Sequence, residues 1–197
     1  MPWNTHSGLE GTHAFLSPST YSWLNYDDDK IIEAYRRHRA KVRGTLMHDL
    51  AKTCIRAGIP IGDINSEDLG IKTLGMYVHD CRIQRMDTEV VLFYSMNAYG
   101  TADAIRFDEE NRRLYIFDLK TGVTATSFRQ LEIYAAYFCL EYHVPADSIT
   151  YELRIYQNGD VRFERPDPSV IERIIGIVQR FDERITKLQK ERGLNNV

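Results

Sequence analysis

Residues 114–117 restrict the fold more than any other part of this sequence, because they are four consecutive large apolar residues. A strand with one face in water would alternate apolar and polar residues, so this run predicts a strand covered on both faces, inside a sheet. The charged residues Asp118 and Lys120 follow at its end. Ligand-binding residues of α/β proteins usually lie at such strand ends. The run therefore predicts a central strand, and the fold expected for the whole chain is α/β, with a central mixed β-sheet flanked by helices.

A second strand-like run covers residues 103–107, and the polar residues 108–113 separate it from the first. Two such runs joined by a short polar segment predict a β-hairpin. Symmetric pairing about this turn places Phe107 opposite Leu114. The same register then fixes the partner of every other residue in the hairpin.

That register brings two carboxylates together, because it places Asp103 opposite Asp118 on the same face of the sheet. Directly opposed Cβ atoms lie about 4.5–5.5 Å apart, and Lys120 shares the face of Asp118 because alternate strand residues do. Two opposed carboxylates repel each other unless one is protonated or a cation lies between them. A hard cation such as Mg²⁺ or Mn²⁺ resolves the repulsion, with the backbone carbonyl of Leu119 as a further ligand. An ordinary salt-bridged strand end is the alternative.

Upstream of the hairpin, an apolar helical pattern has His48 at its margin. Gly44 predicts a break before this helix, and Gly58 with Pro60 predicts its end. The residues expected to be buried are Met47, Leu50, Ala51, Cys54 and Ile55. A histidine at such a margin is more often a core or boundary residue than a ligand.

Downstream of the hairpin, Gln130 and Tyr134 are four residues apart on a predicted helix, so their side chains lie in one row. Thr126 or Ser127 is the predicted N-cap. The free N–H groups of the helix start, together with Arg129, could bind a phosphate. Tyr134 also lies beside an apolar stripe, so a role in packing is its alternative.

The order of these motifs resembles that of the PD-(D/E)XK nuclease superfamily and, within it, the RecB-type exonuclease branch. The resemblance covers roughly residues 44–142 and rests on Gly44, Thr45 and His48, then Asp103, then Asp118 and Lys120, then Gln130 and Tyr134. It implies a restriction-endonuclease-like domain in which His48 joins Asp103 and Asp118 as a metal ligand. Lys120 would hold or activate the attacking water, while Gln130 and Tyr134 would position the DNA strand.

The activity implied by this resemblance is metal-dependent DNA hydrolysis with one or two Mg²⁺ or Mn²⁺ ions, by an exonuclease of recombination, repair or phage DNA metabolism. Recombination or replication proteins are the expected partners besides DNA. Two alternatives stay open: a structure- or sequence-specific endonuclease on the same fold, and a nucleic-acid-binding module that does not cut. Some relatives hold an iron–sulfur cluster through four cysteines. This chain has only Cys54, Cys81 and Cys139, so no such cluster is expected.

The net charge of −3 means that any binding of nucleic acid must come from local patches. The densest patch has five cations within residues 36–43, immediately before the His48 helix. The DNA-binding residues predicted from charge are Arg36, Arg39, Lys41, Arg43 and, on the later helix, Arg129. A solvated helix face is the alternative for this patch, balanced by Asp27, Asp28, Asp29 and Glu33.

The whole chain of 197 residues is predicted to form a single nuclease domain. Residues 1–19 form an extended lead-in, which overlaps a short helix that starts at Ser17 and Pro18. Residues 149–193 form a closing hairpin, turned at Asn158 and Gly159, and a long C-terminal helix.

Residues 90–94 are expected to form a further strand, with Glu89 at its start as a weak candidate for an additional acid. The cysteine spacing and the lack of an apolar N-terminal run argue against secretion or a membrane span. The expected location is the cytoplasm of a prokaryotic cell or phage-infected host.

Overall fold

The computed structural model describes residues 6–9, 11–122 and 124–191, and the chain divides into two compact units, Met1–Thr45 and Leu46–Val197. The α-helices are α1 (Asp28–Ala57), α2 (Leu69–Ile83), α3 (Arg129–Glu141) and α4 (Pro168–Glu191). The strands are β1 (Asp87–Ser95), β2 (Ala98–Asp108), β3 (Arg113–Leu119), β4 (Thr150–Gln157) and β5 (Asp160–Glu164). Residues 1–5 and 10 of the predicted lead-in, and residues 192 and 193 of the predicted closing segment, lie outside the described residues.

The first unit contains two 3₁₀ helices, Ser7–Leu9 and Pro18–Asn25, followed by the start of α1. The predicted short helix after Ser17 is therefore present, as a 3₁₀ helix. Helix α1 begins among acidic residues, and the Asp27 carboxylate accepts a hydrogen bond from the backbone N–H of Lys30 at 2.8 Å. Negative charge at this end is favourable because it faces the positive end of the helix dipole.

The predicted break at Gly44 is wrong, because α1 continues through this residue to Ala57. A glycine inside a helix costs about 1 kcal/mol relative to alanine but keeps its backbone hydrogen bonds, so it weakens a helix without ending it. The predicted end near Gly58 is confirmed. Gly58 has a φ angle of +67°, and the backbone N–H of the next residue, Ile59, donates a hydrogen bond to the carbonyl oxygen of Cys54 at 2.9 Å.

The apolar stripe of α1 within the second unit is only partly as predicted. Ala51, Cys54 and Ile55 are buried and Met47 is partly buried, whereas Leu50 is 43% exposed. Leu50 lies at one margin of the stripe, opposite the margin that carries His48, and the core does not extend far enough round the helix to cover it.

The five strands form one mixed sheet in the order β1-β2-β3-β4-β5. Strand β3 is its third strand, antiparallel to β2 and parallel to β4, and the remaining neighbours pair antiparallel. The predicted register of the β2–β3 hairpin is confirmed, since Phe107 pairs with Leu114. The central position predicted for residues 114–117 is confirmed as well.

Apolar clusters lie on both faces of β3, as the apolar run predicted. One cluster combines the β3 residues Leu114 and Ile116 with residues of α3 and α4. The other combines Tyr115, Phe117 and Leu119 with residues of α1 and α2. The fold class is therefore α/β, with a central five-stranded mixed sheet flanked by helices.

A charged network supports the second of these clusters from β4. The Arg154 guanidinium lies 2.8 Å from Asp80, contacts Glu152, and covers the ring of Phe117 at 4.8 Å. The Tyr156 hydroxyl donates to Asp80 at 2.7 Å. Burial raises the pKa of the Glu152 carboxyl, but the guanidinium groups of Arg154 and then Arg165 outweigh burial, so the pKa is lowered overall.

The elements after the hairpin follow the prediction except at one cap. Helix α3 starts at Arg129 after Phe128, so neither Thr126 nor Ser127 is its N-cap. The turn between β4 and β5 is the predicted one, with positive φ angles of 53° at Asn158 and 73° at Gly159.

Helix α4 is present where the apolar stripe predicted it, but it is buried mainly in its first half. Ile171 and Ile174 are buried, whereas Phe181, Ile185 and Leu188 are 42–51% exposed. None of the helices within the described residues is long and apolar enough to cross a membrane.

Candidate active site

The two carboxylates predicted to face each other lie at the end of the β2–β3 hairpin. The last paired residues of this ladder are Ala104 and Phe117, and one further step in the same register brings Asp103 to Asp118. The Asp103 carboxylate accepts a hydrogen bond from the backbone N–H of Leu119 at 3.2 Å. The two acids are therefore held on adjacent strands, with Asp103 bonded to the strand that carries Asp118.

The side-chain alternation of β2 breaks at Asp103. Ala102 belongs to the cluster on one face of the sheet and Ala104 to the cluster on the other, although residues two apart in a regular strand share a face. On β1, Glu89 occupies the same step of the register and has a φ angle of +56°. Distortions of this kind often redirect a side chain beside an active site. Glu89 itself is exposed, and its role as an additional acid stays a prediction.

Asp118 is the more buried of the two acids, with a side chain 3% exposed against 20% for Asp103. Burial and, after it, the charge of Asp103 raise the pKa of Asp118 from 3.8 to about 6, in spite of Lys120 and His48, which lower it. Its Oδ2 atom lies 2.9 Å from the Lys120 ammonium but outside the directions of a hydrogen bond, and it accepts none. A buried anionic oxygen without a directed donor is a position that a cation would stabilise.

His48 is brought to this pair by α1. Its Nδ1 atom lies 3.4 Å from Oδ2 of Asp103, and its side chain is 31% exposed. Placement at the margin of the apolar stripe thus leaves the imidazole at the carboxylates rather than inside the core.

Lys120 connects the carboxylates to the helix residues predicted to act with them. Its ammonium donates to Oδ1 of Asp118 and to Oε1 of Gln130, both at 3.0 Å. The Gln130 amide in turn donates to the Tyr134 hydroxyl at 3.1 Å. The predicted residues Asp118, Lys120, Gln130 and Tyr134 therefore form a chain of hydrogen bonds, and the contact of His48 with Asp103 joins this chain through the backbone N–H of Leu119.

Gly100 on β2 contributes to this set without having been predicted. A Cβ atom added there would lie 3.0 Å from Cε1 of Tyr134, which is tighter than ordinary van der Waals contact. The absence of a side chain at Gly100 lets the Tyr134 ring pack against the strand. Burial raises the pKa of Tyr134, and the two carboxylates raise it further, so its phenol stays protonated at neutral pH.

Tyr77 on α2 is a second residue that sequence reasoning missed. It is 2% exposed, and its pKa is raised well above 10.0 by burial, by Cys81 and by the charges of Asp103 and Asp118. It is thus a buried neutral group whose ionisation the charges of both acids oppose. Nothing in its local spacing distinguishes it from an ordinary core tyrosine, and its place is set by the packing of α2 on the sheet.

The cations predicted to bind DNA have no side-chain contact with this set of residues among the contacts that the structure describes. Arg129 is 62% exposed and pairs with the buried Glu132 at 2.8 Å. Arg36, Arg39, Lys41 and Arg43 are exposed residues of α1 in the first unit.

The metal-ligating prediction concerns His48, Asp103, Asp118 and the Leu119 carbonyl. Across the described ranges, no three or more His, Cys, Asp or Glu side chains are arranged so that they could hold a metal ion. The donor types nevertheless fit a hard divalent cation, since carboxylate oxygens dominate and Asp118 has a buried oxygen without a directed donor. The Lys120 ammonium occupies the position beside both Asp118 oxygens. A cation bound there would have to share Asp118 with this ammonium.

The fold and this set of residues define the class of the molecule as an α/β protein with an acid-rich polar site at the end of its central strands. Comparison with known protein families found no family that matches the chain, and comparison with curated proteins found no match either.

Proposed function

We propose that this chain is a metal-dependent deoxyribonuclease related to the RecB-type branch of the PD-(D/E)XK superfamily, and specifically an exonuclease. The observation that supports this most strongly is the connected set at the ends of β2 and β3, where His48 contacts Asp103 and Lys120 links Asp118 to Gln130. A role in recombination, repair or phage DNA metabolism, with proteins of those processes as partners in a prokaryotic cytoplasm, belongs to the same proposal.

The proposed ligands of Mg²⁺ or Mn²⁺ are His48, Asp103, Asp118 and the Leu119 carbonyl. Such an ion supplies Lewis-acid polarisation of the scissile phosphate and stabilises the leaving oxygen. Two features of the chain favour binding of such an ion. The buried Oδ2 atom of Asp118 accepts no hydrogen bond, and the backbone N–H of Leu119 holds the Asp103 carboxylate in place.

Lys120 is proposed to act on the attacking water. An ammonium has three N–H donors and cannot ligate a cation, so its part is to hold the water and to favour loss of its proton. Contacts with Asp118 and Gln130 fix the ammonium at the site. A fixed donor is effective because it needs no reorganisation when charge develops during the reaction.

Gln130 and Tyr134 are proposed to position the DNA strand. The hydrogen bond between them keeps both polar groups in one row along α3, beside Lys120. Arg129, one residue before Gln130 and largely exposed, would contact a phosphate of the same strand. The exposed cations of α1 would add sequence-independent affinity for the DNA backbone.

The direct test is incubation of the pure chain with Mg²⁺ or Mn²⁺ and three substrates: end-labelled linear DNA, covalently closed circular DNA and single-stranded DNA. An exonuclease degrades linear but not circular molecules, whereas an endonuclease nicks the circles. An Asp118→Asn variant purified in parallel identifies any contaminating nuclease. Absence of product with both metals and all three substrates would contradict the proposed activity.

A further inference from the structure

A cavity of about 350 Å³ lies within the first unit. This volume is in the usual range for pockets that take small organic groups, about 300–1,000 Å³. Its walls combine aromatic rings with hydroxyl and imidazole groups, among them His13, Phe15, Ser17, Trp23, Tyr26 and His38. A planar heterocycle with polar edges suits such a lining, because rings stack on its faces and hydroxyl or imidazole groups bond to its edge.

The rings beside this cavity are arranged as a partly open aromatic surface. The Phe15 ring centroid lies 5.3 Å from that of His38 and 5.2 Å from that of Tyr35. Tyr35 is 48% exposed, so the aromatic surface continues from the cavity into solvent. Trp23 also lines the cavity, and its indole N–H donates to the Ser17 carbonyl at 3.1 Å, which fixes the plane of the indole ring.

A run of uncompensated positive charge lies on α1 in the same unit. Residues 34–45 contain five Arg or Lys residues and no Asp or Glu. Arg37 pairs with Glu33 at 3.7 Å. The other four, Arg36, Arg39, Lys41 and Arg43, are exposed and have no ion pair within the part of the chain that the structure describes. Like charges at this spacing repel each other, and a polyanion laid along the helix removes that repulsion.

We propose that the first unit binds single-stranded nucleic acid, with one unpaired base in the aromatic cavity and neighbouring phosphates on the cations of α1. The inference rests on the proposed function and deepens it by naming an unpaired strand, rather than an intact duplex, as the form of DNA that this unit holds. In a duplex both faces of each base are covered by its neighbours, so only an unpaired base can stack between protein rings.

Binding is measured with the full-length Asp118→Asn chain in EDTA, so that cutting does not interfere. The fluorescent probes are oligothymidylate of 12 nucleotides, an abasic strand with the same backbone, and a duplex closed by hairpins at both ends. We expect oligothymidylate to bind about 5- to 100-fold more tightly than the abasic strand, because stacking on a protein ring contributes on this scale per base. The closed duplex should bind no better than the abasic strand.

Two variants locate the base. Phe15→Ala and His38→Ala should each reduce or abolish the preference for oligothymidylate over the abasic strand. His38 is exposed, so its variant keeps the test valid if Phe15→Ala fails to fold. In a Trp3→Phe background, Trp23 is the remaining tryptophan of the chain, and oligothymidylate should quench its fluorescence.

A charge-matched pair of triple variants locates the phosphates. The triple variant Arg36→Gln, Arg39→Gln and Arg43→Gln should show a weaker salt dependence. The negative slope of log affinity against log salt concentration should become shallower by about 2, since each phosphate contact on a single strand contributes about 0.7. The control changes the same number of charges on the exposed face of α4, with Arg173→Gln, Arg180→Gln and Arg184→Gln. The control should leave the slope unchanged.

Equal affinity for oligothymidylate and the abasic strand would overturn the inference, as would equal effects of the two triple variants. Binding to phosphatidylserine vesicles without binding to oligothymidylate would assign the cations to a lipid surface and also overturn it. The two proposals fail separately. A chain that cuts DNA in Mn²⁺ but shows no base-dependent binding in EDTA contradicts this inference alone, and one that binds but never cuts contradicts the nuclease proposal alone.

Discussion

At the scale of single residues, Asp118 shows how the site opposes the stability of the fold. Its side chain is almost fully buried next to a second carboxylate, and its pKa is raised to about 6. Above that pH the folded chain must keep a buried charge that the unfolded chain exposes to water. A group that lowers stability and is nevertheless placed at the end of a central strand is typical of a functional site.

The first prediction is that Asp118→Asn stabilises the metal-free chain at pH 7.5, by roughly 1–3 kcal/mol. In wild type, the unfolded carboxyl loses its proton near pH 3.8 and the folded one near 6, so wild-type stability falls relative to the variant as pH rises between these values. Below about pH 4 the difference should vanish. Urea unfolding in EDTA at both pH values measures it. The exposed-residue variant Asp147→Asn is the control, and an Asp118→Asn chain less stable than wild type at pH 7.5 would refute the prediction.

A second residue-scale prediction separates the role of Lys120 from that of the ligands. Lys120→Ala should keep Mn²⁺ binding, or improve it, because the ammonium that contacts both Asp118 oxygens is removed. Turnover should fall at least about a hundredfold, which is the usual contribution of a positioned proton-transfer group. Calorimetry with Mn²⁺ and a cleavage assay test the two parts, with Lys187→Ala as the control. Lost ion binding with surviving turnover would reverse the assigned roles.

At the scale of elements, the site depends on how α3 packs against β2. Tyr134 on α3 contacts the Gly100 position of β2, and the hydrogen bond from Gln130 joins that tyrosine to Lys120. Displacement of the Tyr134 ring should therefore affect both Gln130 on α3 and Lys120 at the end of β3.

The third prediction is that Gly100→Ala lowers turnover about 3- to 30-fold with little change in Mn²⁺ affinity. The added Cβ would lie 3.0 Å from Cε1 of Tyr134, so the ring must move by a few tenths of an ångström. Small misplacements of positioning residues have effects of this size or larger. Gly176→Ala on α4 is the control, since nothing lies within 4 Å of its added Cβ. It should leave turnover unchanged and raise stability by up to about 1 kcal/mol. Equal turnover of the two variants would contradict the role of Tyr134.

Sequence reasoning succeeded where the cause is local. The polar turn fixed the register of the hairpin, which brought Asp103 one step beyond the last pair to Asp118, and a period of two placed Lys120 on the face of Asp118. It failed at Gly44, because a single glycine weakens a helix less than the surrounding residues support it. The predicted N-cap of α3 was also wrong, since the exact ends of helices depend on tertiary packing.

Other features of the site could not be read from the chain. The positive φ angle of Glu89 and the broken alternation at Asp103 are set by the pairing of β1 with β2. Tyr77 comes near the carboxylates only because α2 packs on the sheet. Both depend on contacts between distant parts of the sequence, for which periodicity gives no signal.

At the scale of the whole molecule, the second unit keeps its polar site at one end of the sheet and a separate charged network on β4. The Arg154 guanidinium forms ion pairs with both Asp80 and Glu152 and covers the Phe117 ring. Each charged group in that network forms a hydrogen bond with a group of opposite charge, whereas the buried Oδ2 of Asp118 lies 2.9 Å from the Lys120 ammonium but accepts no hydrogen bond. From this contrast we expect the network to contribute to stability and the strand-end acids to the proposed function.

The fourth prediction tests this division. Arg154→Met should destabilise the chain by about 2–4 kcal/mol, because Asp80 and Glu152 would both lose the guanidinium that they share, although Tyr156 and Arg165 would still contact them. Affinity for Mn²⁺ should stay the same. Arg165→Met is the control, since Arg165 is 64% exposed and contacts Glu152 only at 3.3 Å, and it should cost less than about 1 kcal/mol. Urea unfolding and Mn²⁺ titration measure both variants. Weaker Mn²⁺ binding by Arg154→Met would show that the network supports the site, which would contradict the division.

The most direct measurement of the central claim is titration of Mn²⁺ into the chain, followed by the electron paramagnetic resonance signal of the free ion. Wild type should remove one or two equivalents from solution. The variants His48→Ala, Asp103→Asn and Asp118→Asn should each bind at least about tenfold more weakly, because each loses a proposed ligand. If Asp103→Asn and Asp118→Asn bind Mn²⁺ as tightly as wild type, the opposed carboxylates are not a metal site and the nuclease account is wrong.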